Sequence, residues 1–279
     1  SVFGEAYGAA VEALIVAKTG SATLIYEMIM GNLVRDLALI AGHNADRAAL
    51  LVALAALVLV PLSMMRSLAS LAPFAAAGTL GVLYTAGFMG LRLAQGAYAP
   101  GGAFAGPAGE PELGDGGYSY GGAFVLVSML STAYVAHFNA PKFANQLVSP
   151  TDARLAKLCG LAFLCAFAVT GCVMAFGFLT FGRGCRGLVL DSYAVADGLA
   201  VWARLANLLS VLAGYPFVLV AFRDGLLQLA ARPRDAAPGW KPSLPARRVA
   251  SVLLIAAVTA LACQLQDLGF VVSLVGALL

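Results

Sequence analysis

Apolar residues run along this chain in long, nearly unbroken stretches, a pattern that predicts helices surrounded by lipid or by other helices rather than half-buried strands. The stretches lie at Ala9–Ile40, Ala48–Leu62, Leu68–Leu93, Ala123–Leu147, Leu155–Phe181, Leu199–Phe222, Val249–Leu265 and Leu268–Leu279. Several match or exceed the roughly 20 residues needed to cross a hydrocarbon core about 30 Å thick. The second is short, and Pro61 is expected to close it. The pattern therefore predicts an all-α polytopic membrane protein, with residues 1–279 forming one transmembrane domain.

Two connections differ from the rest in composition. Gly96–Gly122 is rich in glycine and proline and carries Glu110, Glu112 and Asp115, which predicts a flexible polar loop. Ala230–Arg248 contains Arg232, Arg234, Lys241, Arg247 and Arg248 among several prolines. Basic connections stay cytoplasmic, so 230–248 is expected inside and, by alternation, 96–122 on the extracytoplasmic side. On that count Arg35, Arg47, Arg92, Arg183, Arg186 and Arg204 fall outside, and ten other basic residues fall inside.

Composition agrees with the pattern. Hydrophobic residues make up 61% of the 279 and charged residues 11%, with a mean hydropathy of +0.88, which excludes an ordinary soluble domain. The net charge of +3 shows no basic patch of the kind that binds nucleic acid. The five cysteines show neither disulfide nor metal spacing, and no cofactor is implied. No signal peptide is visible, and the apolar run at Phe270–Leu279 stops with the chain, so the sequence reads as a fragment cut at both ends. With two histidines, and without His-Glu-x-x-His, Gly-x-Ser-x-Gly or a phosphate-cradling loop, catalysis is not expected.

Candidate chemistry lies where polar groups interrupt apolar runs. Tyr134-Val135-Ala136-His137-Phe138-Asn139-Ala140-Pro141 predicts a helix broken at membrane depth, because proline removes a backbone donor and lipid cannot satisfy the freed groups. Broken helices with polar side chains are how many carriers build substrate and ion sites. His137 can carry a proton or merely pin a neighbouring helix, and Asn139 can bind substrate or cap the inner half-helix. In the first run Lys18 and Glu27 point to opposite faces, roughly 13 Å apart along the axis. Lys18 can snorkel, whereas Glu27 needs a partner or a cavity. Pro216 is expected to interrupt a second span, with Ser210 an oxygen donor to a cation or a bond back to its own helix. Gly78, Gly81, Gly171 and Gly177 are expected to permit close helix packing.

The run Ala136–Phe143, together with Tyr215-Pro216 and Phe222-Arg223-Asp224, resembles the amino acid/auxin permease family of amino acid transporters, in the form found in protists and algae. Tyr26, Gly31-Asn32-Leu33, Asp36, Pro61-Leu62-Ser63, Gly269 and Leu274-Val275-Gly276 extend the resemblance over nearly the whole chain. It implies an eleven-helix fold built as a five-plus-five inverted repeat, of which about eight helices would be present and the first two missing. It further implies substrate contacts from Tyr134, His137, Phe138 and Asn139, with His137, Glu27 and Ser210 as coupling-ion candidates. Glu27 stands where the family usually has an apolar residue. Gly214 stands two residues before Pro216, where sodium-coupled relatives carry a hydroxyl just before the proline.

The expectation is a multi-pass carrier of neutral amino acids in a plasma membrane or a vacuolar or lysosomal-type membrane. Its partners would be the amino acid, H+ or Na+, and the lipid bilayer. A sensor of the same fold without net transport, or an inactive remnant, are the competing readings.

Overall fold

A computed structural model describes residues 5–64, 72–105, 120–134, 151–231 and 243–278. The described residues are helical, with no strand among them. The helices are α1 (Glu5–Ile40), α2 (Arg47–Leu54), α3 (Val60–Ser63), α4 (Ala72–Ala94), α5 (Tyr120–Ala133), α6 (Asp152–Phe181), α7 (Gly198–Ala231), α8 (Leu244–Gln264) and α9 (Leu268–Leu278). Four stretches among the described residues are long and apolar enough to cross a membrane: Ala10–Ile40, Asp152–Gly184, Gly198–Ala230 and Leu244–Gln264. The protein is thus a multi-pass membrane protein. The central part of α6 buries nothing and exposes Leu161, Phe163, Leu164 and Phe167.

Of the described prolines expected to end helices, Pro61 stands two residues before the helix end at Ser63, as expected, whereas Pro216 is carried inside one. A π turn at Ala55–Leu59 joins α2 to α3, and the helix passes Pro61 to end at Ser63. The wide turn changes the hydrogen-bond register just before a residue with no N–H to give. Pro216 lies within the continuous α7, so that span is not interrupted there. Packing against α1 holds α7 on both sides of the proline: Tyr215 bonds Glu27 before it, and Phe222 lies against Gly20 after it.

Helices α1 and α7 run antiparallel along their length. Asp36 meets Arg204, Glu27 meets Tyr215, Gly20 meets Phe222 and Val16 meets Gly225. Arg204 is fully buried; its Nε donates to Asp36 Oδ2 at 3.1 Å and its terminal nitrogen to the carbonyls of Leu190 (2.9 Å) and Tyr193 (2.8 Å). A charge so placed is tolerated only with such a set of partners. The other face of α7 packs on α4, where a side chain at Gly78 would meet the Ser210 backbone at 2.8 Å and one at Gly81 would meet Ala206. These two glycines, and Gly177 against Val189, permit close approach as expected, whereas Gly171 faces nothing within 4 Å.

One end of the bundle is closed by the loop between α6 and α7. Arg92 grips Asp197 with two bonds of 2.9 and 2.6 Å, Tyr98 donates to the same carboxylate at 2.9 Å, and Tyr193 packs edge-on against Phe88, Tyr98 and Phe181. Burial opposes ionisation of Asp197, but the bonds from Arg92, Tyr98 and the Leu199 amide outweigh it and hold the carboxyl below the usual range. Its contribution to stability is present above the ordinary carboxylate pKa and is lost as pH falls through the lowered one. At the opposite end Asp224 accepts from Arg223 (2.8 Å) and Arg247 (2.7 Å), tying α7 to α8.

Replacing Arg204 by Met is expected to destabilise the protein by about 3–5 kcal/mol by leaving the buried Asp36 with only the part-exposed Arg35 at 3.1 Å, and adding Asp36→Asn should recover part of the loss. Thermal unfolding in detergent checks both. Gly78→Ala should lower the same midpoint because the Ser210 backbone cannot give way. Gly87→Ala, which meets nothing within 4 Å, should be neutral or stabilising by up to about 1 kcal/mol.

Candidate functional site

Helix α1 carries a carboxylate into the middle of the bundle. Glu27 is 0% exposed, and each of its oxygens accepts a hydroxyl: Tyr215 of α7 at 2.6 Å and Thr259 of α8 at 2.7 Å. The surroundings are apolar, with Met30, Ala55, Leu59, Leu219 and Ile255 packed around Tyr215. Neither hydrogen-bond partner brings a positive charge, so an ionised carboxylate here rests on neutral donors alone. Such a group can take up a proton, or a small cation, far more readily than one locked into an ion pair.

Thr259 also lines an apolar groove of about 280 Å³ between α8 and the α2–α3 segment, with Val52, Ala55, Val60, Ile255 and Ala256. The π turn forms part of that wall. Toward the end of α1 lies a second, polar cavity of about 790 Å³, open to solvent. Arg47 forms part of its lining: Nε donates to Asn32 Oδ1 at 2.7 Å, and the terminal nitrogens reach the carbonyls of Ala262 (3.0 Å) and Met28 (3.3 Å). Gly31 makes room for it, since a β-carbon there would stand 3.3 Å from Arg47 Nε. Asn32 in turn donates to Asp191 Oδ2 at 3.0 Å. Arg47 thus covers α1 from Asn32 back to Met28, the residue after Glu27.

Among the described residues, the candidates read from the sequence (Glu27, Tyr134 and Ser210) do not converge. Ser210 lies on the α4 face of α7, against Gly78, and is not turned toward Glu27. Tyr134 stands beside Phe163 of α6, ring centroids 6.2 Å apart. His137, Phe138, Asn139 and Pro141 lie outside the described residues, as do most of 96–122 and 230–248. Thr259, Arg47 and Asp191 were not found by sequence reasoning. Thr259 is a lone hydroxyl in an apolar run, which carries no signal, whereas an arginine opening a run, as Arg47 does, was read only as a topological charge. Among the described residues no His/Cys/Asp/Glu group has the arrangement to hold a metal ion.

The profile of the family described as "Transmembrane amino acid transporter protein" matches residues 1–279. A curated relative from Danio rerio, "Putative sodium-coupled neutral amino acid transporter 11", is 23% identical over 156 residues, which is 56% of this chain and 34% of that protein. The match thus spans about a third of the relative's length. No solved structure matches the chain.

Thr259→Val and Tyr215→Phe are each expected to cost about 1–3 kcal/mol by leaving a buried carboxylate oxygen without its donor. The two losses should be non-additive, because both act on Glu27. A double-mutant cycle on the detergent-solubilised protein measures the coupling.

Proposed function

The chain belongs to the transmembrane amino acid transporter family, and from that premise we propose that the full-length protein is a secondary active symporter of neutral amino acids. The reading assigns it the five-plus-five inverted-repeat fold and alternating access about a midplane site. Substrate would be held by Tyr134, His137, Phe138 and Asn139, in a plasma membrane or a vacuolar or lysosomal-type membrane.

Proton coupling rests on one observation above all: Glu27 is buried at the junction of α1, α7 and α8 with only hydroxyl partners. Ionised, it accepts from both Tyr215 and Thr259. Protonated, it is neutral and has a hydrogen of its own to donate, so the hydroxyl facing that oxygen must accept where it had donated. Proton uptake therefore changes the link between α1 and the pair α7 and α8, the kind of local change that biases a two-state bundle. Sodium is the second reading, supported by the name of the Danio rerio relative. Gly214, which offers no hydroxyl, and Ser210, turned toward α4, weaken it.

The full-length protein in sodium-free proteoliposomes, given labelled alanine, leucine and glutamine, is expected to accumulate solute only under an inward proton gradient. Glu27→Gln should lose that accumulation. Uptake that requires sodium and ignores the proton gradient would establish the second reading. Saturable binding without accumulation under either gradient would instead favour a sensor.

A further inference from the structure

Arg47 opens α2, but its guanidinium bonds two other helices. Nη1 donates at 3.0 Å to the carbonyl of Ala262 in the last turn of α8, where a backbone carbonyl has no partner within its own helix. Nη2 donates to the carbonyl of Met28 on α1 at 3.3 Å, and Nε to Asn32 Oδ1 at 2.7 Å. Met28 and Ala262 are fully buried, so the bonds hold the two helices together from within the packed bundle. A positive group at the end of α8 also complements the negative end of that helix. Gly31 leaves the space in which the guanidinium lies, and Asp191 holds the far side of Asn32 at 3.0 Å.

These contacts lie beside the place where Glu27 meets Thr259. Met28 follows Glu27 in α1, and Ala262 follows Thr259 by three residues, about 4.5 Å along α8. Arg47 therefore fastens α1 to α8 within one turn of the 2.7 Å bond from the Thr259 hydroxyl to Glu27. That bond has little tolerance, because a separation beyond about 3.5 Å ends it. The groove on the other side of Thr259 is lined by valine, isoleucine and alanine side chains, which offer no substitute donor. We propose that Arg47 is a positioning residue for the coupling carboxylate: it holds the end of α8 against α1 and so keeps Thr259 as a donor to Glu27. The inference rests on the reading of Glu27 as the proton site. A planar guanidinium can serve three acceptors lying in different directions, as a compact ammonium cannot. Its charge is constant over the physiological range, so Arg47 acts on the proton affinity of Glu27 without titrating itself. Around Glu27, α7 presents the ionisable Tyr215, α8 the neutral Thr259 and the π turn the apolar Ala55 and Leu59.

Uptake of labelled alanine by the full-length protein in proteoliposomes, measured against external pH, tests this. Thr259 donates to the ionised carboxylate, so its loss makes protonation easier. Arg47→Lys and Thr259→Val are each expected to lower the proton concentration for half-maximal uptake by about tenfold, the weight of one hydrogen bond to a charged group. Combined, they should shift it no further than either alone. A role confined to holding the fold would lower the yield of folded protein and the limiting rate, and leave the half-maximal proton concentration where it was. An unmoved value in Arg47→Lys, or shifts that add in the double variant, overturns the proposal. If Arg47→Lys does not fold, Gly31→Ala crowds the guanidinium without removing it and should give a shift in the same direction; no shift there is equally fatal. Wild-type uptake that is absent, or that ignores the proton gradient, overturns the reading of Glu27 instead. Thermal unfolding in detergent then decides the positioning role: non-additive losses in Arg47→Lys and Thr259→Val uphold it, and additive losses overturn it.

Discussion

The register of α1 against α7 depends on the buried Asp36–Arg204 pair. Arg204 cannot be buried alone, and Asp36 and the carbonyls of Leu190 and Tyr193 receive its Nε and one of its terminal nitrogens. Once that contact is made at one end, the antiparallel run of the two helices brings Tyr215 to Glu27 and Phe222 to Gly20 further along. Sliding either helix by one turn would cost the ion pair and the carboxylate's donor together. Buried polar contacts of this kind add less to net stability than they remove from the alternatives.

The same contact carries the loop between α6 and α7. Because Arg204 holds the Leu190 and Tyr193 carbonyls, Asp191 is set against Asn32, and Asn32 against Arg47. The polar cavity is therefore a product of the α1–α7 register, and Arg47 links its lining to the backbone next to Glu27. A buried carboxylate and a polar cavity thus lie along one helix. Small residues at the α4–α7 contact let the framework pack tightly around them.

Much of the scaffold was legible in the sequence. The apolar runs correspond to α1, α6 and α8 within about five residues, because lipid demands a long helix wherever the chain crosses it, while α7 continues to Ala231, well past the run's end at Phe222. Pro61 marked a helix end that falls at Ser63, whereas Pro216 was read less well: it looked like a stop because local rules treat proline as a breaker, but packing on α1 carries the helix past it. Glu27 was recognisable as a buried charge in need of a partner. Tyr215 entered only as part of a family motif, and Thr259 not at all, since hydroxyls in apolar helices are common and nothing local marks the one that will meet a carboxylate.

By itself the sequence determined that this chain is helical and membrane-embedded, because hydropathy and helix length are properties of segments, and its motifs carried the resemblance to amino acid transporters. Tertiary structure decided which polar groups meet. Glu27 with Tyr215 and Thr259, Asp36 with Arg204, and Asp191 with Asn32 and Arg47 join residues far apart in the chain. Their pairing is set by the rotation and register of packed helices, which depend on side-chain shape over whole interfaces and leave no signature in any one segment.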